Sequence, residues 1–305
     1  MGDDFFDRVK QMFAEKQYLQ VIKEWGVDTS NSEVFKRSAY ANYTPSRNDV
    51  IVTTYPKSGT TWMKQIAYQI GYKGAGEYQH IDHVVPWPDN LVPMDNMAMV
   101  DNLTHLADSP TGLHVIKSHL EAEYIPYNKN AKYICVIRNP KDTLVSVVHF
   151  DNGFNQLLFG ETVPVEAWVE AFQTNDFVYQ PWAVVTDSWW RLRNEENVLV
   201  YLYEDMIREG KQCVQNVADF LEVSLTGTEL DKVVEKSSFS FMKKNDHLFA
   251  PPAWQSGYVS MVRSGKSGNS KELFTLDQAR QIDRYCMDSL DALGSEFPYQ
   301  DLYAK

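Results

Sequence analysis

Cysteine is scarce in this chain: Cys135, Cys213 and Cys286 are the three cysteines among 305 residues, widely spaced and odd in number. They suggest neither a disulfide framework nor a C-x-x-C metal site, and read as reduced thiols of a cytoplasmic protein. Long apolar runs are also missing. None approaches the roughly 20 residues needed to span a bilayer, so no membrane association is expected. The start, Met1-Gly2-Asp3-Asp4-Phe5-Phe6, is acidic and lacks the apolar core of a secretory leader. Positive charge is in deficit, with 29 Lys and Arg against 41 Asp and Glu and a formal net charge of −12. That disfavours a nucleic-acid partner, because phosphate neutralisation needs clustered cations. An anionic ligand must then be held by a local positive site. There is no internal repeat, low-complexity block or strong domain boundary, and residues 1–305 read as one domain.

What is present is enough for a sizeable core, at 44% hydrophobic and 13% aromatic residues. The most informative stretch is Thr54-Tyr55-Pro56-Lys57-Ser58-Gly59-Thr60-Thr61-Trp62. It follows an apolar strand near 49–54 and precedes a helix near 60–71 whose apolar residues recur at helical spacing. A lysine, a glycine and three hydroxyls therefore sit between a strand end and a helix start. Backbone N–H groups point outward there, and the helix dipole favours an anion. The nucleotide-triphosphate loop, G-x-x-x-x-G-K-[ST], has its lysine after the second glycine. Here Lys57 precedes Gly59. The plain alternative is an ordinary turn capped by Ser58 or Thr60.

Further short strands are expected at 113–116, 132–137 and 197–203. An amphipathic helix is expected over 3–25, and others over 141–150, 163–174, 179–194, 211–222, 226–236 and 275–292. Apolar strands alternating with helices argue an α/β fold with a central parallel sheet flanked by helices. In such sheets ligands bind beyond the carboxyl ends of the strands. Those ends carry Lys57, then Lys117 and His119, then Arg138 with Ser146 in the next helix, then Tyr203, Glu204 and Asp205. Such a cluster suits a ligand with several anionic groups. Glu204 and Asp205 read as the acidic first turn of a helix. His80-Ile81-Asp82-His83 could hold a metal ion, but no third ligand is spaced for it. Trp189-Trp190 reads as core packing.

The segment Tyr55 to Trp62, the run Arg138-Asn139-Pro140-Lys141-Asp142 with Ser146, Tyr203-Glu204-Asp205-Met206 and Phe239 to Lys244 together resemble the cytosolic sulfotransferases. The likeness spans about residues 30–300. That family moves a sulfuryl group from 3′-phosphoadenosine 5′-phosphosulfate (PAPS) to a hydroxyl or amine, leaving PAP, on a fold akin to nucleotide kinases and without a metal. The resemblance implies that Lys57, Ser58, Gly59, Thr60 and Thr61 wrap the 5′-phosphosulfate, with Lys57 steadying the leaving oxygen and Ser58 restraining Lys57. It implies that Trp62 stacks on adenine, that Tyr203, Ser237, Phe239 and Met242 line the adenine pocket, and that Arg138 and Ser146 hold the 3′-phosphate. His119 would be the general base and Lys117 would steady the sulfuryl oxygens.

Some residues depart from the family pattern. The C-terminal cofactor loop keeps Arg263, Gly265, Gly268 and Lys271, but Ser264 stands for a lysine and Ser270 for a tryptophan. Lys266 is a candidate substitute cation. The dimer motif appears as Lys271, Thr275, Leu276 and Arg280, with arginine in place of glutamate, so a homodimer through it is in doubt. The acceptor is expected to be a small molecule. Trp87 and Phe150 are expected to touch it, and loops 77–112, 151–164 and 245–262 to shape its pocket. Their aromatics (Trp87, Phe154, Phe159, Phe249, Trp254, Tyr258) fit a phenol, alcohol or steroid. Their acids (Asp82, Asp89, Asp95, Asp101, Asp151, Glu161, Asp246) also fit an alkaloid or amine. The alternatives are a P-loop kinase or NTPase, which would need a Walker lysine and a carboxylate for Mg²⁺, and a nucleotide-binding module without catalysis.

Overall fold

Four apolar runs form the strands β1 (Asp49–Thr54), β2 (His114–Ser118), β3 (Lys132–Ile137) and β4 (Val198–Leu202) in the computed structural model, which describes residues 3–26, 32–90, 109–174, 177–251 and 259–304. All neighbours pair parallel in the order β2-β1-β3-β4. Every residue of β1 is buried, as expected where helices cover both faces of a parallel sheet. Val52 pairs with Lys117 and Thr54 with Val136, so the strands end along one edge.

The helices follow in chain order: α1 (Asp3–Ala14), α2 (Tyr18–Gly26), α3 (Glu33–Ser38), α4 (Thr60–Gly71), α5 (Pro140–Phe159), α6 (Val165–Phe172) and α7 (Trp182–Trp190). After β4 come α8 (Tyr203–Glu209), α9 (Lys211–Phe220), α10 (Gly227–Lys236), α11 (Phe239–Lys244), α12 (Ser270–Leu273), α13 (Leu276–Ala292) and α14 (Tyr299–Tyr303). One core lies between the sheet and the N-terminal, α5–α7 and C-terminal helices, around Trp168, Trp182 and Trp189. The other lies against α4, α9 and α10, around Met63, Ile66 and Val217. Trp189 is buried and donates its indole N–H to the Leu120 carbonyl at 3.1 Å, which confirms it as core. Glu204 and Asp205 do stand in the first turn of α8.

Three differences from the sequence reading bear on the site and its surroundings. The helix expected over 3–25 is two helices, broken where Lys16 takes a left-handed φ of 57° and Gln17 N–H closes onto the Met12 carbonyl. The strand expected to end at 116 runs on to Ser118, which buries Lys117 inside β2. Most of the expected loop 151–164 is helix, because α5 continues to Phe159 and stops at Gly160 with φ of 72°. The run Asp151-Asn152-Gly153 is poor in helix formers, but its neighbours hold it helical. Asn152 exchanges two hydrogen bonds with the backbone of Val163, at 2.8 and 2.9 Å. Asn155 accepts the Trp25 indole N–H at 2.7 Å, tying α2 to α5.

Candidate functional site

Beyond β1 the chain turns through Lys57, with φ of 66°, and Gly59, with φ of 101°, before α4 begins. A Cβ on Gly59 would lie 2.7 Å from Cδ2 of Tyr203, so both handedness and space require glycine. No side chain caps α4, which rules out the plain capped turn. Its first N–H groups are left for a ligand or solvent. The Ser58 hydroxyl points inward to the Thr143 hydroxyl at 3.4 Å, and the Thr60 hydroxyl meets that of Thr54. Two of the three hydroxyls of this loop are thus engaged within the protein.

A cavity of about 790 Å³ opens at this edge of the sheet. Lys57, Gly59, Thr60, Thr61 and Trp62 line it, and so do Lys117, His119, Arg138 and Ser146. Tyr203, Phe239, Met242, Arg263, Ser264 and Gly265 complete one end, and Trp87 and Phe150 stand in the other part of the wall. Two expected residues are outside it. Ser58 is fully buried beneath the loop, and Ser237 is buried behind Trp62, accepting its indole N–H on the backbone carbonyl at 2.8 Å. The Ser237 hydroxyl is turned to the Val233 carbonyl at 2.6 Å.

His119 is fixed from three sides. Its Nδ1 lies 2.8 Å from the Thr54 carbonyl, its backbone N–H donates to Asp89 at 2.8 Å, and its carbonyl accepts from Gln180 at 2.6 Å. A carbonyl can only accept, so Nδ1 carries the ring proton and Nε2 keeps a lone pair. Burial, with Lys117 second, pushes the His119 pKa well below its usual value. The ring is therefore neutral at physiological pH. Two lysines of the cavity rest on aromatic faces: Lys57 Nζ is 3.3 Å from the ring centre of Phe150, and Lys117 Nζ is 3.1 Å from that of Trp87. Burial lowers both lysine pKa values to about 7. Among the described residues neither forms an ion pair with a carboxylate.

At the other end Arg138 is buried with its guanidinium 4.3 Å from the ring centre of Tyr203. It donates to the Lys57 carbonyl at 2.9 Å, while Nε has no partner among the described residues. The backbone of 263–271 closes over it. Asp142 accepts from the N–H groups of Gly268 at 2.6 Å and Ser270 at 3.0 Å, which holds that segment in place. Gly265, with φ of 61°, lies so close to the Phe239 ring that a Cβ would approach to 2.3 Å. Lys266 was the candidate substitute for the missing lysine. Its side chain is exposed, outside the cavity wall, and only its carbonyl faces Arg138, at 3.5 Å from Nη2.

Several wall residues were not read from sequence. Trp25 and Phe35 reach the cavity from the N-terminal segment. Lys64 lines it too, paired with Asp82. Gln180 and the Thr54 carbonyl, which orient His119, leave no motif, and Asp89, expected only as a pocket acid, joins them in that role. Asp142 stood within a quoted run but showed no role there. Of the expected pocket residues, Phe154, Phe249, Asp82, Asp89 and Asp151 are in the wall. Phe159 instead packs on Phe13, Glu161 is exposed, and Asp246 caps the N–H groups of Met261 and Val262. Asp95, Asp101, Trp254 and Tyr258 lie outside the described residues. His80 caps its own short helix and bonds the Ala250 carbonyl at 2.8 Å, and no metal-holding cluster occurs among the described residues.

Residues 47–294 match the model of the sulfotransferase domain. The chain belongs to the sulfotransferase family. This sulfotransferase is 33% identical over 247 residues to sulfotransferase 1B1 of Canis lupus familiaris, covering 77% of this chain and 81% of that one. It is 32% identical over 248 residues to the 3-alpha-hydroxysteroid sulfotransferase of Cavia porcellus, covering 79% and 83%. The crystal structure of mouse sulfotransferase SULT7A1 complexed with PAP superposes with a TM-score of 0.62 at 26% identity, over 86% of this chain and 90% of that one.

Gly59→Ala is expected to destabilise this sulfotransferase by about 1–2 kcal/mol from the left-handed backbone alone. The contact with Tyr203 adds to that figure. Urea unfolding measures it, and an unchanged midpoint at unchanged slope would contradict the assignment.

Proposed function

We propose that this sulfotransferase transfers the sulfuryl group of PAPS to the hydroxyl or amine of a small-molecule acceptor, with His119 as general base. The observation that carries the reading is the 2.8 Å contact between His119 Nδ1 and the Thr54 carbonyl, which leaves an unprotonated Nε2 on a ring in the cavity wall. Such a nitrogen can take the acceptor's proton as its oxygen or nitrogen attacks sulfur. The lowered pKa keeps it neutral into mildly acidic solution.

The cavity fits the donor at two points. The uncapped start of α4 offers N–H groups to a phosphosulfate, and Arg138 holds at the far end a buried Nε that has no partner among the described residues. PAPS supplies an activated sulfuryl group and a phosphate leaving group. Lys57 presents a cation toward the charge that grows on leaving, and Lys117 one toward the sulfuryl oxygens. Arg138 and Ser146 hold the 3′-phosphate, with Ser264 and the backbone of Gly265 beside them. Trp62, Tyr203, Phe239 and Met242 enclose the adenine, and Ser237 positions Trp62 through its carbonyl. The PAP complex of the mouse relative supports a PAPS-type donor for this fold. Residues 1–305 work as one domain on this reading, since Trp25 and Phe35, outside the matched 47–294, complete the acceptor end.

Incubation with radiolabelled PAPS and a panel of phenols, steroids and amines tests it. Transfer should occur, and His119→Ala should lower its rate by about 10²–10⁴-fold. PAP binding should persist in that variant. Transfer at the wild-type rate in His119→Ala would remove the base from His119.

A second test uses proton linkage. Lys57 and Lys117, held near pKa 7 by burial, are largely neutral at pH 8 in the empty site. An arriving anion restores their charge, so PAP binding should take up protons at pH 8 and weaken as pH rises further. Calorimetry in buffers of different ionisation enthalpy reads this directly. Binding with no net uptake at pH 8 would contradict it.

A further inference from the structure

Asp151 is 8% exposed, in the cavity wall one residue after Phe150 on α5. Its Oδ2 is buried without a hydrogen-bond partner, and no ion pair reaches it among the described residues. Of the other wall carboxylates, Asp82 pairs with Lys64, and Asp89 accepts the His119 N–H through Oδ2 beside Lys117, while its Oδ1 also lacks a hydrogen-bond partner among the described residues. Trp25, Phe35, Phe150, Phe154 and Tyr179 supply aromatic surface to the same cavity. An unpaired carboxylate in such surroundings is unfavourable until a cation meets it.

The groups whose fields meet at Asp151 are Lys57 and the hydroxyls of Tyr55 and Tyr179. Lys57 is the one cation of this set. On the reading above it turns to the leaving phosphate once the donor is bound. The donor then adds negative charge to the cavity, and Asp151 is left without a counter-ion. Aromatic faces around it are themselves favourable to a cation. Burial raises the Asp151 pKa to about 7, as expected of a carboxylate that still lacks its partner.

We propose that the acceptor is a hydroxyl compound that also carries a protonated amine, and that Asp151 receives the ammonium. This rests on the sulfotransferase reading and narrows it. The acceptor hydroxyl oxygen bonds to sulfur while the bond from sulfur to the bridging oxygen breaks. That bonding pair leaves with the phosphate, and the hydroxyl proton passes to His119 Nε2. The ammonium keeps its proton throughout and serves only to hold the acceptor.

Two size-matched phenols test this, 4-(2-aminoethyl)phenol and 4-propylphenol, by kcat/KM with PAPS at pH 7.5. The wild type should favour the amine by about tenfold or more, and Asp151→Asn should reduce that ratio by about 30-fold, the scale for removing one partner of a buried charge pair. Melting temperature and PAP affinity of Asp151→Asn establish its fold; if it does not fold, the wild-type ratio decides alone. A wild-type preference for 4-propylphenol overturns the inference. So does an equal loss toward both phenols in the variant, which would make Asp151 a partner of Lys57 only. Sulfation of 4-propylphenol alone leaves the sulfotransferase reading standing while this inference falls. Transfer to neither phenol also overturns it, and the wider acceptor panel then decides the broader reading.

Discussion

Lys117 and Arg138 are buried and Lys57 is half-buried at the carboxyl edge of a parallel sheet, with no carboxylate paired to them among the described residues. Removing a cation from water is unfavourable, and the two lysines show it in pKa values lowered to about 7. Aromatic faces offset part of that cost: Phe150 under Lys57, Trp87 under Lys117, Tyr203 beside Arg138. The remainder awaits an anion. Much of the site can be understood as what keeps these groups in place until one arrives. The register of β1 with β2 and β3 brings the three cations to one edge. Asp142 ties the segment 268–270 to the start of α5, near Arg138. In a chain of net charge −12, this local concentration is what lets an anionic donor bind at all.

The same edge carries a neutral base. His119 could gain a proton from solvent, yet burial and the nearby Lys117 oppose it. The Thr54 carbonyl fixes which nitrogen carries the proton. Thr54 also ends β1, so one strand end both begins the anion loop and sets the tautomer of the base. Cation and base are thereby built from adjacent strands with little freedom between them.

The sheet, its parallel character and the cluster at the strand ends were legible because each rests on local signals. Those are apolar runs of strand length, a lysine-glycine-hydroxyl turn, and Pro140 opening a helix. The length of α5 was not legible. Asp151-Asn152-Gly153 reads as a break, and only contacts from Val163 and Trp25, distant in sequence or outside the helix, make it helix. The supports of His119 were hidden for a similar reason. Asp89, Gln180 and a backbone carbonyl become partners only after the chain has folded. Lys266 was a plausible replacement by charge and spacing, but its backbone rather than its ammonium faces the site. Charge could be read from sequence, whereas direction required the fold.

The central claim is that the uncapped start of α4 and Lys57 receive the transferring end of the donor while Arg138 receives the other. A crystal structure of the protein with PAP tests this most directly. The account predicts the 5′-phosphate within hydrogen-bond distance of the backbone N–H groups of residues 59–61, and the 3′-phosphate on Arg138 and Ser146. A 5′-phosphate bound away from that helix start, or a 3′-phosphate that leaves Arg138 untouched, would contradict it.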